Sequence, residues 1–332
     1  MGYLLGQRGS APVSMAASAA DDVVELAITS LPLETRFPPF RLRQYGGFWL
    51  VEKFLKGVLA VHSVVETRPS DVLLGSFPKC GTTWLKALAF ATRNLVEHSP
   101  HDLHHPLRRC NPHDMVRYME IEFGRLLDDG GADDVFVALP SPRLLATHLP
   151  YSLLPRRITA EESSCRIIVM YICRDPKDAF ISSWFFTMKE AAATAARAQA
   201  GEDTDKQQTE PAPYTFEEAF ELFCDGKCVN GPQWRHVVGY WEESRRRPEK
   251  VLFLRYDEML WNPARNVKKL AERSHRGVVQ PREPEKHGRE QEWQPWSWSN
   301  HITPAMAERL DKIVEEALQG SGFSFAVAES SW

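Results

Sequence analysis

Long apolar runs are missing from the sequence: no stretch approaches the roughly 20 residues that a helix needs to span a bilayer, so no membrane partner is expected. A dominant charge is missing too. With 40 basic and 44 acidic residues the formal net charge is −4, which gives no global pull toward nucleic acid, so any anion site must be local. The six cysteines (Cys80, Cys110, Cys165, Cys173, Cys224, Cys228) lack zinc-type C-x-x-C spacing, and reduced thiols in a cytoplasmic protein are the simpler reading. His98, His101, His104, His105 and His113 fit neither a zinc finger nor the helical His-Glu-x-x-His pattern. Pro100, Pro106 and Pro112 mark that stretch as a polar loop near a substrate mouth, and no metal is expected. The first 22 residues carry a lone arginine, Arg8, and no long apolar core; residues 1–30 read as a disordered extension rather than a signal peptide.

What is present suffices for one large α/β domain over residues 31–325, with a tail at 326–332. The apolar run Val72 to Phe77 reads as a buried strand broken at Pro78, and helical spacing follows from Thr82 to Leu95. Lys79, Cys80, Gly81, Thr82 and Thr83 lie between. A strand, a tight turn and a helix N-terminus converge unpaired N–H groups on an anion, with the helix dipole behind them. Gly81 permits close backbone approach, Lys79 adds a point charge, Thr82 and Thr83 offer hydroxyl donors, and Trp84 offers a flat surface for a base. The nucleotide-hydrolase signature G-x-x-x-x-G-K-[ST] is not met: from Gly75 the next glycine, Gly81, comes one residue late, and threonine follows it. A nucleotide kinase is therefore disfavoured.

Leu144 to Leu149 reads as a second strand, stopped by Pro150, with His148 at its end. Residues 167–173 form a near-continuous apolar run suited to a central parallel strand. Arg174 ends that run, Pro176 opens a helix and Ser182 falls within it. Val251 to Arg255 is a further buried strand. The fold class is thus a central, mainly parallel sheet flanked by helices. Residues 190–213 read as a helix fraying into a lid-like loop, and residues 31–50 as a packed, irregular segment rich in proline and aromatics. The final helix runs Pro304 to Leu318, with its stop at Gly320.

The string Pro78-Lys-Cys-Gly-Thr-Thr-Trp84 resembles the 5′-phosphosulfate-binding loop of plant-type cytosolic sulfotransferases, usually Pro-Lys-Ser-Gly-Thr-Thr-Trp. Ala146-Thr-His-Leu-Pro-Tyr151 resembles the segment carrying that family's base, and Tyr171 to Asp178 its 3′-phosphate motif. The resemblance implies a donor, 3′-phosphoadenosine 5′-phosphosulfate (PAPS), held by Lys79, Cys80, Gly81, Thr82, Thr83, Trp84, Arg174 and Ser182, with Trp234 against the purine. It implies His148 as general base and Lys79 as the group that neutralises the leaving phosphate. Tyr45 and Phe48, within the plant-type Tyr-x-Gly-Phe-Trp string, and Phe77 are acceptor-pocket candidates. The implied reaction is sulfuryl transfer to a hydroxyl of a small apolar acceptor of flavonoid, steroid or hydroxyjasmonate type, without metal, by a monomer or weak homodimer.

The resemblance covers about residues 30–271 and 298–325 and breaks between them. Glu272 to Ser297 is polar, unpatterned and short, and the family's Arg-Lys-Gly-x-x-Gly-Asp-Trp loop is absent; Lys286, Gly288 and Arg289 imitate it only in part. A degenerate homologue with impaired donor binding is therefore the alternative reading.

Overall fold

The computed structural model describes residues 23–128, 136–160, 167–200, 214–274 and 298–326. The lid-like loop at 201–213, Cys165, the divergent segment at 275–297 with Lys286, Gly288 and Arg289, and both chain ends lie outside these residues.

Four parallel strands form the central sheet: β4 (Val72–Ser76), β5 (Leu144–Thr147), β6 (Ile168–Cys173) and β7 (Val251–Arg255), in the order β5-β4-β6-β7. Every residue of β4 is buried, as a strand covered on both faces must be. Side chains alternate between the two faces. Leu73, Leu145, Val169, Tyr171 and Val251 enter one core, while Val72, Leu74, Ala146, Met170, Ile172 and Leu254 enter the other. Because all four strands run one way, their carboxyl ends meet at one edge of the sheet.

Flanking helices are α1 (Leu55–Val64), α2 (Thr82–Arg93), α3 (Met119–Asp128), α4 (Pro176–Gln199), α5 (Phe216–Cys224), α6 (Gln233–Arg246), α7 (Pro263–Ser274) and α8 (Pro304–Leu318). The sequence marks their ends. Asp175 caps the first turn of α4 through the Lys177 amide, with Pro176 at the first helical position, and Thr215 and Glu218 form a reciprocal capping box on α5. Gly320, just beyond α8, takes a left-handed φ of 83°. Among the described residues no helix is long and apolar enough to cross a membrane.

Residues 33–51 are not irregular. They form a three-stranded antiparallel sheet of β1 (Leu33–Phe37), β2 (Phe40–Tyr45) and β3 (Phe48–Val51). The reason lies in Gly46 and Gly47, whose φ values of 57° and 83° form the two-residue turn that matches strand twist, with Tyr45 paired to Phe48 across it. Proline-rich composition masked the hairpin.

One buried ion pair ties the amino ends of β4 and β5. Arg143 donates to both oxygens of Asp71 (3.0 and 2.6 Å) and to the carbonyls of Phe136 and Glu66; both side chains are almost fully enclosed.

Candidate functional site

At the carboxyl edge of the central sheet lies a cavity of about 630 Å³. Its polar floor begins where β4 ends. Lys79 adopts a left-handed φ of 66°, uncommon for a residue with a Cβ, and Gly81 follows at 96° before α2 starts. A Cβ on Gly81 would stand 2.7 Å from the Tyr256 ring, so only glycine fits. No side chain caps α2, which leaves its first-turn N–H groups and dipole facing the cavity. Lys79 lies with its ammonium 4.4 Å from the Phe186 ring centre, and burial together with the Arg174 charge lowers its pKa.

His148 stands just past β5, one strand away. Its Nδ1 lies 2.8 Å from the Ser76 carbonyl, which can only accept, so Nδ1 carries the proton and Nε2 keeps its lone pair. Its own backbone is held on both sides. The amide donates to Glu120 Oε1 (2.7 Å), while the carbonyl accepts from Asn230 Nδ2 and His236 Nε2, each at 2.9 Å. His236 therefore accepts at Nδ1 from the Tyr171 hydroxyl (2.9 Å), inside the core. Burial holds the His148 imidazole neutral, its pKa pushed down to about 3 with the Lys86 charge adding to the effect. Ser76 Oγ bridges the two halves of the floor, 2.6 Å from Thr82 Oγ1 and 3.5 Å from His148 Nδ1.

Arg174 continues the line beyond β6. Its guanidinium lies over the Tyr256 ring (4.9 Å), and Nη1 reaches the Lys79 carbonyl at 3.5 Å. Among the described residues its buried Nε has no hydrogen-bond partner, since the Asp178 carboxylate stands 3.9 Å off. Burial pushes the Asp178 carboxyl up to about 6 against the pull of Arg174. A buried guanidinium N–H without an acceptor, beside uncapped helix amides and an obligatory glycine, fits a phosphorylated ligand. The opposite wall is apolar: Phe37, Phe40, Leu50, Val51, Phe54 and Val58.

Of the residues singled out in the sequence, Lys79, Gly81, Thr82, Thr83, Trp84, His148, Arg174 and Ser182 come together around this cavity. Five others do not line it. Cys80 is fully buried, with burial pushing its thiol up to about 12 and Gln233 Nε2 as its polar neighbour at 3.5 Å. Trp234 shares the buried face of α6 with Val237 and Tyr240, three residues apart, and packs into the core. Phe77 and Phe48 are core residues with their rings edge-on to His236, and Tyr45 packs against the same core.

Other lining residues escaped the sequence reading. Tyr256 directly follows β7, so the rule that sites gather at strand ends would have found it. His113, from the histidine stretch expected near the substrate mouth but given no role, lies 2.9 Å from Thr83 Oγ1 and 3.1 Å from Lys86 Nζ. Glu120 is enclosed, with Oε2 unpartnered among the described residues and burial raising its pKa. No local pattern signals these last two.

Fold and cavity together define an α/β protein equipped to hold a phosphorylated ligand beside a half-buried, neutral histidine. A profile of the sulfotransferase domain matches residues 69–276. Cytosolic sulfotransferase 16 of Arabidopsis thaliana is 35% identical, with 89% of this chain and 90% of that protein aligned. Cytosolic sulfotransferase 5 of the same plant is 32% identical over 90% and 95%. A crystal structure of an Arabidopsis thaliana sulphotransferase superposes with a TM-score of 0.69 at 32% identity, covering 91% of this chain and 94% of that one. A mouse sulfotransferase complexed with PAP shares the fold at a TM-score of 0.54 and 20% identity, over 84% and 95%. The chain belongs to the sulfotransferase family, whose members use PAPS as donor.

Proposed function

We propose that this chain transfers the sulfuryl group of PAPS to a hydroxyl of a small apolar acceptor of flavonoid, steroid or hydroxyjasmonate type. The observation that carries the reading is the His148 imidazole, neutral, with Nδ1–H fixed on Ser76 and Nε2 free, in one cavity with the Lys79–Trp84 loop. His148 Nε2 takes the acceptor's proton as the acceptor oxygen bonds to sulfur. The bond from sulfur to the 5′-phosphate oxygen breaks, and Lys79 neutralises the charge left on that oxygen. A histidine with a pKa of about 3 is a weak base alone; negative charge beside it raises that value, so the imidazole gains basicity when donor is bound. Gly81, Thr82 and Thr83 hold the 5′-phosphate with the first-turn amides of α2, and Arg174 and Ser182 take the 3′-phosphate. Trp84 and Tyr256, edge to face at 5.8 Å, offer aromatic surface beside them. Lys79 and the helix N-terminus supply the positive charge that other transferases take from a metal, so the reading assigns none. It includes a cytoplasmic protein acting as monomer or weak homodimer.

A second reading rests on the sequence of Glu272 to Ser297, which lacks the family's 3′-phosphate clamp: a degenerate homologue with impaired donor binding. Charge-assisted contacts contribute about 1.5–3 kcal/mol each, so losing two weakens binding about a hundredfold or more. Calorimetric titration of the full chain with 3′-phosphoadenosine 5′-phosphate (PAP), the desulfated donor, separates the two. Binding at micromolar PAP or below, with sulfation of a phenolic or steroid acceptor that persists in EDTA, is the expected result. Undetectable PAP binding selects the degenerate homologue, and turnover that stops on chelation contradicts the metal-free chemistry.

A further inference from the structure

Lys86 is a fully buried cation on α2, one turn beyond the threonines of the phosphate loop. Among the described residues it forms no ion pair; its ammonium rests 3.2 Å from the centre of the Tyr118 ring and 3.1 Å from His113 Nδ1. In its charged form Lys86 has donors and no lone pair, so His113 Nδ1 accepts from it. The imidazole proton then sits on Nε2, which donates to Thr83 Oγ1 at 2.9 Å. Once the Thr83 oxygen has accepted, its own proton is directed elsewhere, and Thr83 lines the cavity. Thr82 has no such constraint, because its partner Ser76 Oγ can act as donor or acceptor.

We propose that His113 is a positioning residue of the donor site: Lys86 fixes its tautomer, and His113 in turn fixes the Thr83 hydroxyl as a donor toward the 5′-phosphate. This rests on the donor reading above. Local structure supports a fixed imidazole: Asn111 accepts from the His113 amide at 3.0 Å, and the ring stacks on Tyr118 at 5.6 Å and 24°. Burial, reinforced by the Lys86 charge, pushes the His113 pKa down to about 4, which keeps Nδ1 available as an acceptor. The same burial brings Lys86 down to about 7, so an anion over the loop favours its charged form. The relay thus orients the Thr83 hydroxyl while Lys86 is charged, and places a second-rank positive charge behind it.

Two measurements on the full chain test this. Long-range proton–nitrogen correlation NMR should show His113 protonated at Nε2 and bare at Nδ1, and Lys86→Met should release it into a mixture of tautomers. PAP titration should then show His113→Phe, which keeps a stacking ring, weakening binding about tenfold, as Thr83→Val does. The double variant should bind no more weakly than Thr83→Val alone, because both changes remove one device. Additive losses, undiminished binding by His113→Phe or a proton on Nδ1 overturns the relay while leaving the donor reading intact. Absence of PAP binding by the unmodified chain removes both.

Discussion

A buried imidazole that is neutral in the fold becomes a liability in acid, because the unfolded chain can take a proton that the folded chain refuses. His148, His113 and His236 are all held down by burial, to about 3, 4 and 4. Above about pH 6.5 they are neutral in both states and contribute no pH dependence. Between about 6.5 and their folded values each makes unfolding easier as pH falls, whereas Asp178, raised to about 6, works the other way as it takes up its proton. His236 isolates the effect, since among the described residues its ring bonds only the Tyr171 hydroxyl and, at the cavity, the His148 carbonyl. His236→Gln, which can keep that donation, should lose less stability than the parent between pH 7 and pH 5, by about 1–2 kcal/mol in urea denaturation at the two pH values. Equal losses would mean that His236 is protonated in the fold. At the proposed base, His148→Ala should abolish sulfation yet leave PAP affinity within a few-fold; unchanged turnover would sink the assignment. His148 was legible in the sequence because its strand, its stop at Pro150 and its motif are contiguous. His113 was not, because Thr83 and Lys86 lie 30 and 27 residues away and nothing local names them.

The loop before α2 and the turn between β2 and β3 show why single glycines decide whole elements. At Gly81 the positive φ and the Tyr256 ring act together, so Gly81→Ala should lower stability by more than about 1 kcal/mol and abolish PAP binding. Gly320→Ala is the matched control. It has a similar φ of 83° but open space around the Cβ, so it should cost about 1 kcal/mol and leave PAP binding unchanged. Denaturation and titration of the pair separate backbone strain from site geometry; PAP binding retained by Gly81→Ala would show that the cradle tolerates a shifted Tyr256. Strand-to-helix switches were legible here because periodicity changes abruptly at Pro78 and Arg174. The antiparallel sheet was not, since Phe40 to Val51 carries aromatics on both faces and only the paired glycines mark its turn.

For the molecule as a whole, the buried Asp71–Arg143 pair fixes the relative height of the two strands that carry the phosphate loop and the base. Arg143→Met leaves an enclosed carboxylate unpaired and should cost about 3–5 kcal/mol, whereas the double change to Asp71→Leu with Arg143→Met should recover much of that. Midpoints in guanidinium unfolding measure both; a double variant no better than the single one would mean that the arginine's bonds to the Phe136 and Glu66 carbonyls matter more than its charge. The parallel sheet was readable from four separated apolar runs, but their order, β5-β4-β6-β7, was not, because hydrophobic patterning carries no neighbour information.

The three-stranded sheet that walls the cavity and the proposed base are fastened together. The Trp49 amide donates to the Gly231 carbonyl (2.9 Å), the Asn230 amide donates to the Trp49 carbonyl (2.7 Å), and the Asn230 side chain holds the His148 carbonyl. Backbone displacement of β3 would therefore drag the imidazole with it. On the proposed function, new acceptors are most easily accommodated by exchanging cavity-facing side chains such as Phe37, Phe40 and Leu50 on an unmoved frame. Insertions in the hairpin, by contrast, would alter the catalytic geometry along with selectivity. In this architecture substrate range can diversify by repainting a wall while the chemistry stands still.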